Sequence, residues 1–187
     1  MPAELLVVRH ADTAWTVSGQ HTGRSDIPLN EAGRALAASL APTLARRSFA
    51  EVWSSPLSRA LETARLAGFA DPQLRPDAAE WDYGDYDGLT SAQIDERRPG
   101  WELWQDGCPG GESARDVGAR ADRLLEGLPA NGTVLLFSHG HMLRVVLARW
   151  LGLSPADGAL FLLPPGAIGD LCHEHGRRVL GAWGLSA

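Results

Sequence analysis

"LLVVRHADTAW" (residues 5–15) decides how this chain is read: four apolar residues run straight into an arginine and a histidine. An apolar run without alternation is the pattern of a strand buried on both faces, as in a parallel sheet. A second such run, "TVLLFSHGHML" at 133–143, ends on Ser138, His139 and Gly140. A shorter one, "EVWSS" at 51–55, leads through Pro56 into a segment carrying Arg59. In an open parallel sheet, ligands bind beyond the carboxyl ends of the strands. Three strand ends therefore gather two guanidiniums and two imidazoles at one edge, beside the start of a helix. A helix N-terminus favours an anion, and arginine grips phosphate oxygens two at a time. An anion pocket is the reading that joins these features.

The intervening segments fit helices laid on such a sheet. At 30–47, Asn30 can cap a helix with Leu36, Leu40 and Leu44 on one face and Pro42 as a kink. A helix is expected over 56–68, with Pro56 at its start and Gly68 at its end. Short helices are expected at 90–98 and 100–106, a firmer one over 113–127, and another from 142 to 152. Residues 10–29 and 75–89 read as irregular, and the tail from 159 to 184 as three short strands. The pattern implies an α/β fold, a three-layer αβα sandwich around a mostly parallel sheet, in a single domain over residues 1–187.

Bulk composition excludes several classes. Apolar residues make up 44% and charged residues 21% of 187, the balance of an ordinary globule. All 17 cations are arginine, so no lysine can form a Schiff base or hold a phosphate. A net charge of −6 without a basic stripe argues against nucleic acid. No apolar stretch reaches the length of a membrane span. Cys108 and Cys172 make no disulfide framework, and no signal peptide is evident, so a cytoplasmic protein is expected.

Six segments then carry a resemblance: "VVRHADTAW", "HTGRSDIPLNEAG", "SSPLSRALETA", "EWDYGDYDGLT", "GGES" and "LLFSHGHMLR". In that order, from about residue 5 to 150, they resemble the histidine phosphatase superfamily, the phosphoglycerate mutase-like proteins. The resemblance implies phosphoryl transfer through a phosphohistidine on His10, without a cofactor or metal. Arg9, Arg59 and His139 would line the phosphate pocket with Gly140. Glu80 would be the proton donor and base, and Thr16, Thr22 and Gly23 would touch substrate. The sequence departs from the family pattern twice. Ala11 stands where the family has glycine, and is tolerable if its φ is negative. Thr16 stands where mutases often have asparagine. Asp77, Asp82, Asp85 and Asp87 flank Glu80 as weaker acid candidates, and Asp12 is expected to brace its loop.

A phosphatase is favoured over a mutase, because the segment between 89 and 113 is brief and offers only Arg97 and Arg98 to hold a substrate carboxylate. The partner is then a small phosphate ester. An acid phosphatase of loose specificity is the first reading, with Trp15, Trp81, Tyr83, Trp101 and Trp104 as an apolar rim. "SGQHTGRSDIPL" also resembles the corresponding loop of sugar bisphosphatases, although five acids in the 77–87 loop would repel a second phosphate unless an arginine intervenes. Two other classes stay open. His139-x-His141 and His173-x-His175 raise a zinc site, and Ala11 raises a non-catalytic phosphate-binding module. Open strand edges in the tail leave a homo-oligomer conceivable.

Overall fold

The structure, a computed structural model, describes residues 2–186. Six strands form one sheet in the order β3-β2-β4-β1-β5-β6: β1 Glu4–Arg9, β2 Glu51–Ser54, β3 Gln73–Leu74, β4 Thr133–Ser138, β5 Ile168–Glu174 and β6 Arg177–Leu185. The four strands from β3 to β1 run parallel, and β5 and β6 turn back antiparallel. Alternate side chains of the central strands feed two cores. Leu5, Val7, Trp53, Val134 and Leu136 pack with Val117, Ala121, Val146 and Trp150 on one face. Leu6, Val8, Leu135 and Phe137 pack with Leu40, Leu44 and Ala64 on the other. This is the three-layer sandwich the apolar runs imply, with a mostly parallel centre.

Among the described residues the α-helices are α1 Ala14–Ser18, α2 Glu31–Ser39, α3 Ala41–Leu44, α4 Ser58–Leu66, α5 Ser91–Arg97, α6 Leu103–Asp106, α7 Ala114–Glu126 and α8 Gly140–Trp150. After β1 the chain crosses by α2 and α3 on one face; after β4 it enters α8 on the other. Because β1 and β4 are neighbours, with Arg9 level with Ser138, a crevice opens between their carboxyl ends. That topological switch point is where His10 and His139 stand.

Several local expectations change. The helix expected at 30–47 is two, broken at Leu40, with Pro42 in the first turn of α3. Residues 10–29 hold α1, which the irregular reading missed; Thr13 and Thr16 close its capping box. The tail has two strands rather than three. "ALFLL" begins in a 3-10 turn over Pro155–Leu160 and continues as extended chain along the cleft described below. Among the described residues no helix is long and apolar enough to cross a membrane.

Candidate active site

His10 leaves β1 with its backbone N–H on the Ser138 carbonyl at 2.9 Å, which ties the two strand ends together. Its Nδ1 lies 2.7 Å from the Ala11 carbonyl oxygen. A carbonyl only accepts, so Nδ1 carries the hydrogen and Nε2 keeps its lone pair. Burial, then the nearby Arg9 and Arg59, hold the ring pKa well below its ordinary 6.5, so the imidazole stays neutral. Ala11 is fully buried against Leu29 and Ala37. His175 is the single described non-glycine residue with a positive φ. The alanine therefore sits in ordinary backbone, and the missing family glycine distorts nothing.

Arg9 donates from Nη1 to the Leu163 carbonyl at 2.6 Å, while its Nε is buried without a protein partner. A buried guanidinium N–H with no protein acceptor is suited to an anion oxygen. Gly140 makes room for this arginine: a Cβ there would lie 3.1 Å from Cζ and 3.2 Å from Nε. Arg59, the second residue of α4, is wholly buried. It donates to the carbonyls of Ser25, Thr22 and Gly23 at 3.0, 2.9 and 3.1 Å. Its Nε donates to His139 Nδ1 at 3.2 Å, so His139 Nε2 carries the other hydrogen and donates to Ser55 Oγ at 2.7 Å. The rings of His10 and His139 lie 5.1 Å apart, edge to face. Burial lowers both guanidinium pKa values, and Glu80 is the largest charge acting against that.

Glu80 answers a different demand from the one expected of the helix start. Its Oε1 accepts from the backbone N–H of Trp81 and of Met142, at 2.9 and 2.8 Å. Its Oε2 accepts from His141 N–H at 3.2 Å. His139, the N-cap residue of α8, makes no side-chain cap. The group that meets this helix N-terminus is thus the protein's own Glu80 carboxyl, reaching in from another loop.

Arg9, His10, Thr16, Thr22, Glu80 and Gly140 line one cleft of about 870 Å³. Arg59 and His139 stand immediately behind it. Gly23 lies outside the lining; its N–H is held by Asp87 at 2.7 Å, and its carbonyl holds Arg59. The Thr16 hydroxyl faces inward to its own loop, donating to Asp12 and to the Thr13 carbonyl. That contact also gives Asp12 the bracing part expected of it.

Three of the four flanking acids are engaged elsewhere, and Asp85 is exposed. Asp77 pairs with Arg123 at 2.6 Å, Asp82 with Arg24 at 2.7 Å, and Asp87 accepts from Gly23 and Ser25. Trp15, Tyr83, Trp101 and Trp104 line the cleft as the rim reading expected, but Tyr83 and Trp104 are, like Trp81, buried in the core. Sequence reasoning missed Arg144, which lines the cleft with its guanidinium 4.6 Å over the Trp104 ring. It weighed His141 only as a zinc ligand, and passed over His21. Both are half-buried, lowered in pKa by desolvation, and line the cleft. His141 Nδ1 bonds to the Tyr83 hydroxyl and both nitrogens of His139 are engaged, so the His139-x-His141 pair offers no two free nitrogens to a metal. Among the described residues no three His, Cys, Asp or Glu side chains gather as metal ligands. Arg97 and Arg98 are exposed and outside the cleft.

Known proteins share this arrangement of chain. A protein named acid phosphatase from Mycobacterium tuberculosis is 42% identical over 188 residues, covering 97% of this chain and 92% of that one. The sedoheptulose 1,7-bisphosphatase of Saccharomyces cerevisiae is 31% identical, covering 79% and 67%. The solved structure of the open reading frame Rv3214 from Mycobacterium tuberculosis superposes with a TM-score of 0.92 at 41% identity, over 98% of both chains. The family described as the histidine phosphatase superfamily (branch 1) matches residues 5–186, and it is to this family that the chain belongs.

Proposed function

We propose that the protein hydrolyses small phosphomonoesters through a phosphohistidine on His10, without a metal. The observation that carries this reading is the neutral His10 ring with its Nε2 lone pair free beside an unpaired, buried Arg9 Nε. Nε2 attacks phosphorus in line, the N–P bond forms, and the ester P–O bond breaks. Charge accumulating on the equatorial oxygens meets Arg9 and, behind it, Arg59, cations fixed before the reaction, with His139 bracing Arg59 against Ser55. Glu80 gives the leaving alkoxide its proton; Oε2, with one donor at 3.2 Å, has the capacity to hold it. Water then attacks the phosphohistidine, its proton passes to Glu80, and phosphate leaves.

The test is the lability of the trapped enzyme. A phosphoryl group that survives base, leaves in acid and vanishes in His10→Ala supports the reading; an adduct on serine or aspartate overturns it. Turnover that persists in a strong chelator supports the metal-free chemistry, and loss restored by zinc refutes it.

Arg144 favours a second reading of substrate. It is the arginine whose absence weighed against a bisphosphate, two of the acids around Glu80 are ion-paired, and one relative is a sugar bisphosphatase. A sugar bisphosphate would then set its second phosphate toward Arg144. Arg144→Met should raise KM for a sugar bisphosphate well above its effect on a monophosphate. Incubation with 3-phosphoglycerate and its bisphosphate primer separates both readings from a mutase, which would yield the isomer rather than free phosphate.

A further inference from the structure

Glu80 sits in a loop with almost no regular structure, yet its carboxylate must hold one position beside the His10 ring. The backbone on both sides of it converges on one ion pair. Arg120 of α7 is largely buried and forms a two-pronged pair with Glu112, Nε to Oε1 at 2.8 Å and Nη2 to Oε2 at 2.7 Å. The same guanidinium donates to the carbonyls of Asp77, Ala79 and Glu80 at 2.8, 2.6 and 3.1 Å. Glu112 takes the other side of the loop. Its Oε2 accepts from Asp82 N–H at 2.9 Å, and its backbone carbonyl accepts from the Trp81 indole at 2.9 Å. Its N–H donates to the Asp82 carbonyl at 2.9 Å.

We propose that the Arg120–Glu112 pair is a positioning device for Glu80: Arg120 grips the chain before it, Glu112 the chain after it, and together they aim the carboxylate at the α8 N-terminus and the cleft. Resting on the reading of Glu80 as proton donor, this goes further by naming what holds the donor in place. An arginine is required because only a planar fork can bind a carboxylate two-pronged and still reach three carbonyls; lysine keeps the charge without the geometry. Neither residue lines the cleft. Arg120 and Glu112 instead line a smaller hollow of about 260 Å³ on the far side of the Glu80 loop.

A proton donor matters in proportion to how badly the leaving group needs the proton. The experiment therefore compares kcat/KM for an alkyl phosphate and for 4-nitrophenyl phosphate in the wild type, Arg120→Met, Arg120→Lys, Glu112→Gln and Glu80→Gln. A displaced Glu80 should cost about a hundredfold on the alkyl ester, within the range of general acid catalysis. The nitrophenolate ester, which leaves unprotonated, should lose less than about fivefold. Arg120→Lys should fall between Arg120→Met and wild type.

Equal losses on both esters in Arg120→Met would show general damage to the site and overturn the proposal. Should Arg120→Met not fold, Glu112→Gln, nearly identical in shape to the native side chain, is put through the same comparison and decides the matter in the same way. Glu80→Gln separates the two levels. A leaving-group split there without one in the Arg120 and Glu112 variants refutes the positioning device alone. No split in Glu80→Gln refutes the proton-donor reading on which it rests.

Discussion

The two walls of the cleft are built on different principles. The wall carrying His10, Arg59 and His139 is made of strand ends and the helices that follow them. Its geometry comes from the sheet: Arg9 faces Ser138 across β1 and β4, and the two imidazoles stand 5.1 Å apart in consequence. The opposite wall, from Glu80 through Trp104, has short helices and turns and is held by side chains clasping backbone. A sheet edge can fix a nucleophile by register alone. A loop wall needs ion pairs for the same precision, and can change its aromatic lining without disturbing the nucleophile. This division predicts that damage to the first wall abolishes chemistry, and that damage to the second, Glu80 apart, alters which ester is accepted.

The largest effect should follow Arg59→Met. Loss of a fixed cation behind the transferring phosphoryl group should cut kcat by about a hundredfold to a thousandfold. The same change strips the carbonyls of Thr22, Gly23 and Ser25 of a buried donor, so urea unfolding should show a loss of about 1–3 kcal/mol. A variant with normal kcat would break the division.

Acid should act on the first wall. His10 and His139 are buried there and His141 is half-buried on the helix that follows, all with pKa values held well below 6.5. Below that value the unfolded chain takes up protons that the native state refuses, so ν in the unfolded state exceeds ν in the native state. Stability should be fully present above about pH 6.5 and decline as the pH falls from there toward the lowered native values. Unfolding midpoints measured from pH 7.5 to 5 check this; a midpoint that rises on acidification contradicts it.

A smaller effect distinguishes the walls. Trp101 stands half-buried on the cleft, its indole N–H on the Gly107 carbonyl at 2.9 Å. One aromatic contact of about 0.5–1.5 kcal/mol converts to a rise in KM of about twofold to tenfold for Trp101→Ala, with kcat nearly unchanged. A fall in kcat as large as that of Arg59→Met would show that the aromatic lining also governs chemistry.

The smallest effect belongs to Ala11→Gly. The residue occupies ordinary backbone inside a packed cluster. Restoring the family glycine should leave kcat unaltered and lower stability by about 0.4–1 kcal/mol, chiefly by loosening the unfolded chain. A gain in activity would show that the alanine strains the site.

The same division explains what the sequence disclosed. Apolar runs at 5–8 and 134–137 announce strands buried on both faces, and their polar ends point to Arg9, His10 and His139. Arg59 follows from a strand leading into a helix. The loop wall gives no such signal. Glu80 is found by resemblance, but its capping of α8 depends on contacts 61 and 62 residues away. Ser55, which supports His139, reads only as a strand end, because nothing local marks a hydroxyl as the partner of an imidazole 84 residues on. Arg144 and Arg120 look like ordinary polar positions on amphipathic helices, since periodicity reports which face is buried and not what a long side chain reaches. The three-strand tail fails for a related reason: apolar "ALFLL" lines a cleft wall instead of joining the sheet.

At the centre of this mechanism, His10 and the cations around it receive one tetrahedral anion. A crystal structure with vanadate tests that most directly. Vanadium is predicted to bond to His10 Nε2, with one oxygen accepting from the open Arg9 Nε and the others facing Arg59 and His139. Vanadate seated elsewhere, or bound with His10 Nε2 turned away from it, would contradict the mechanism.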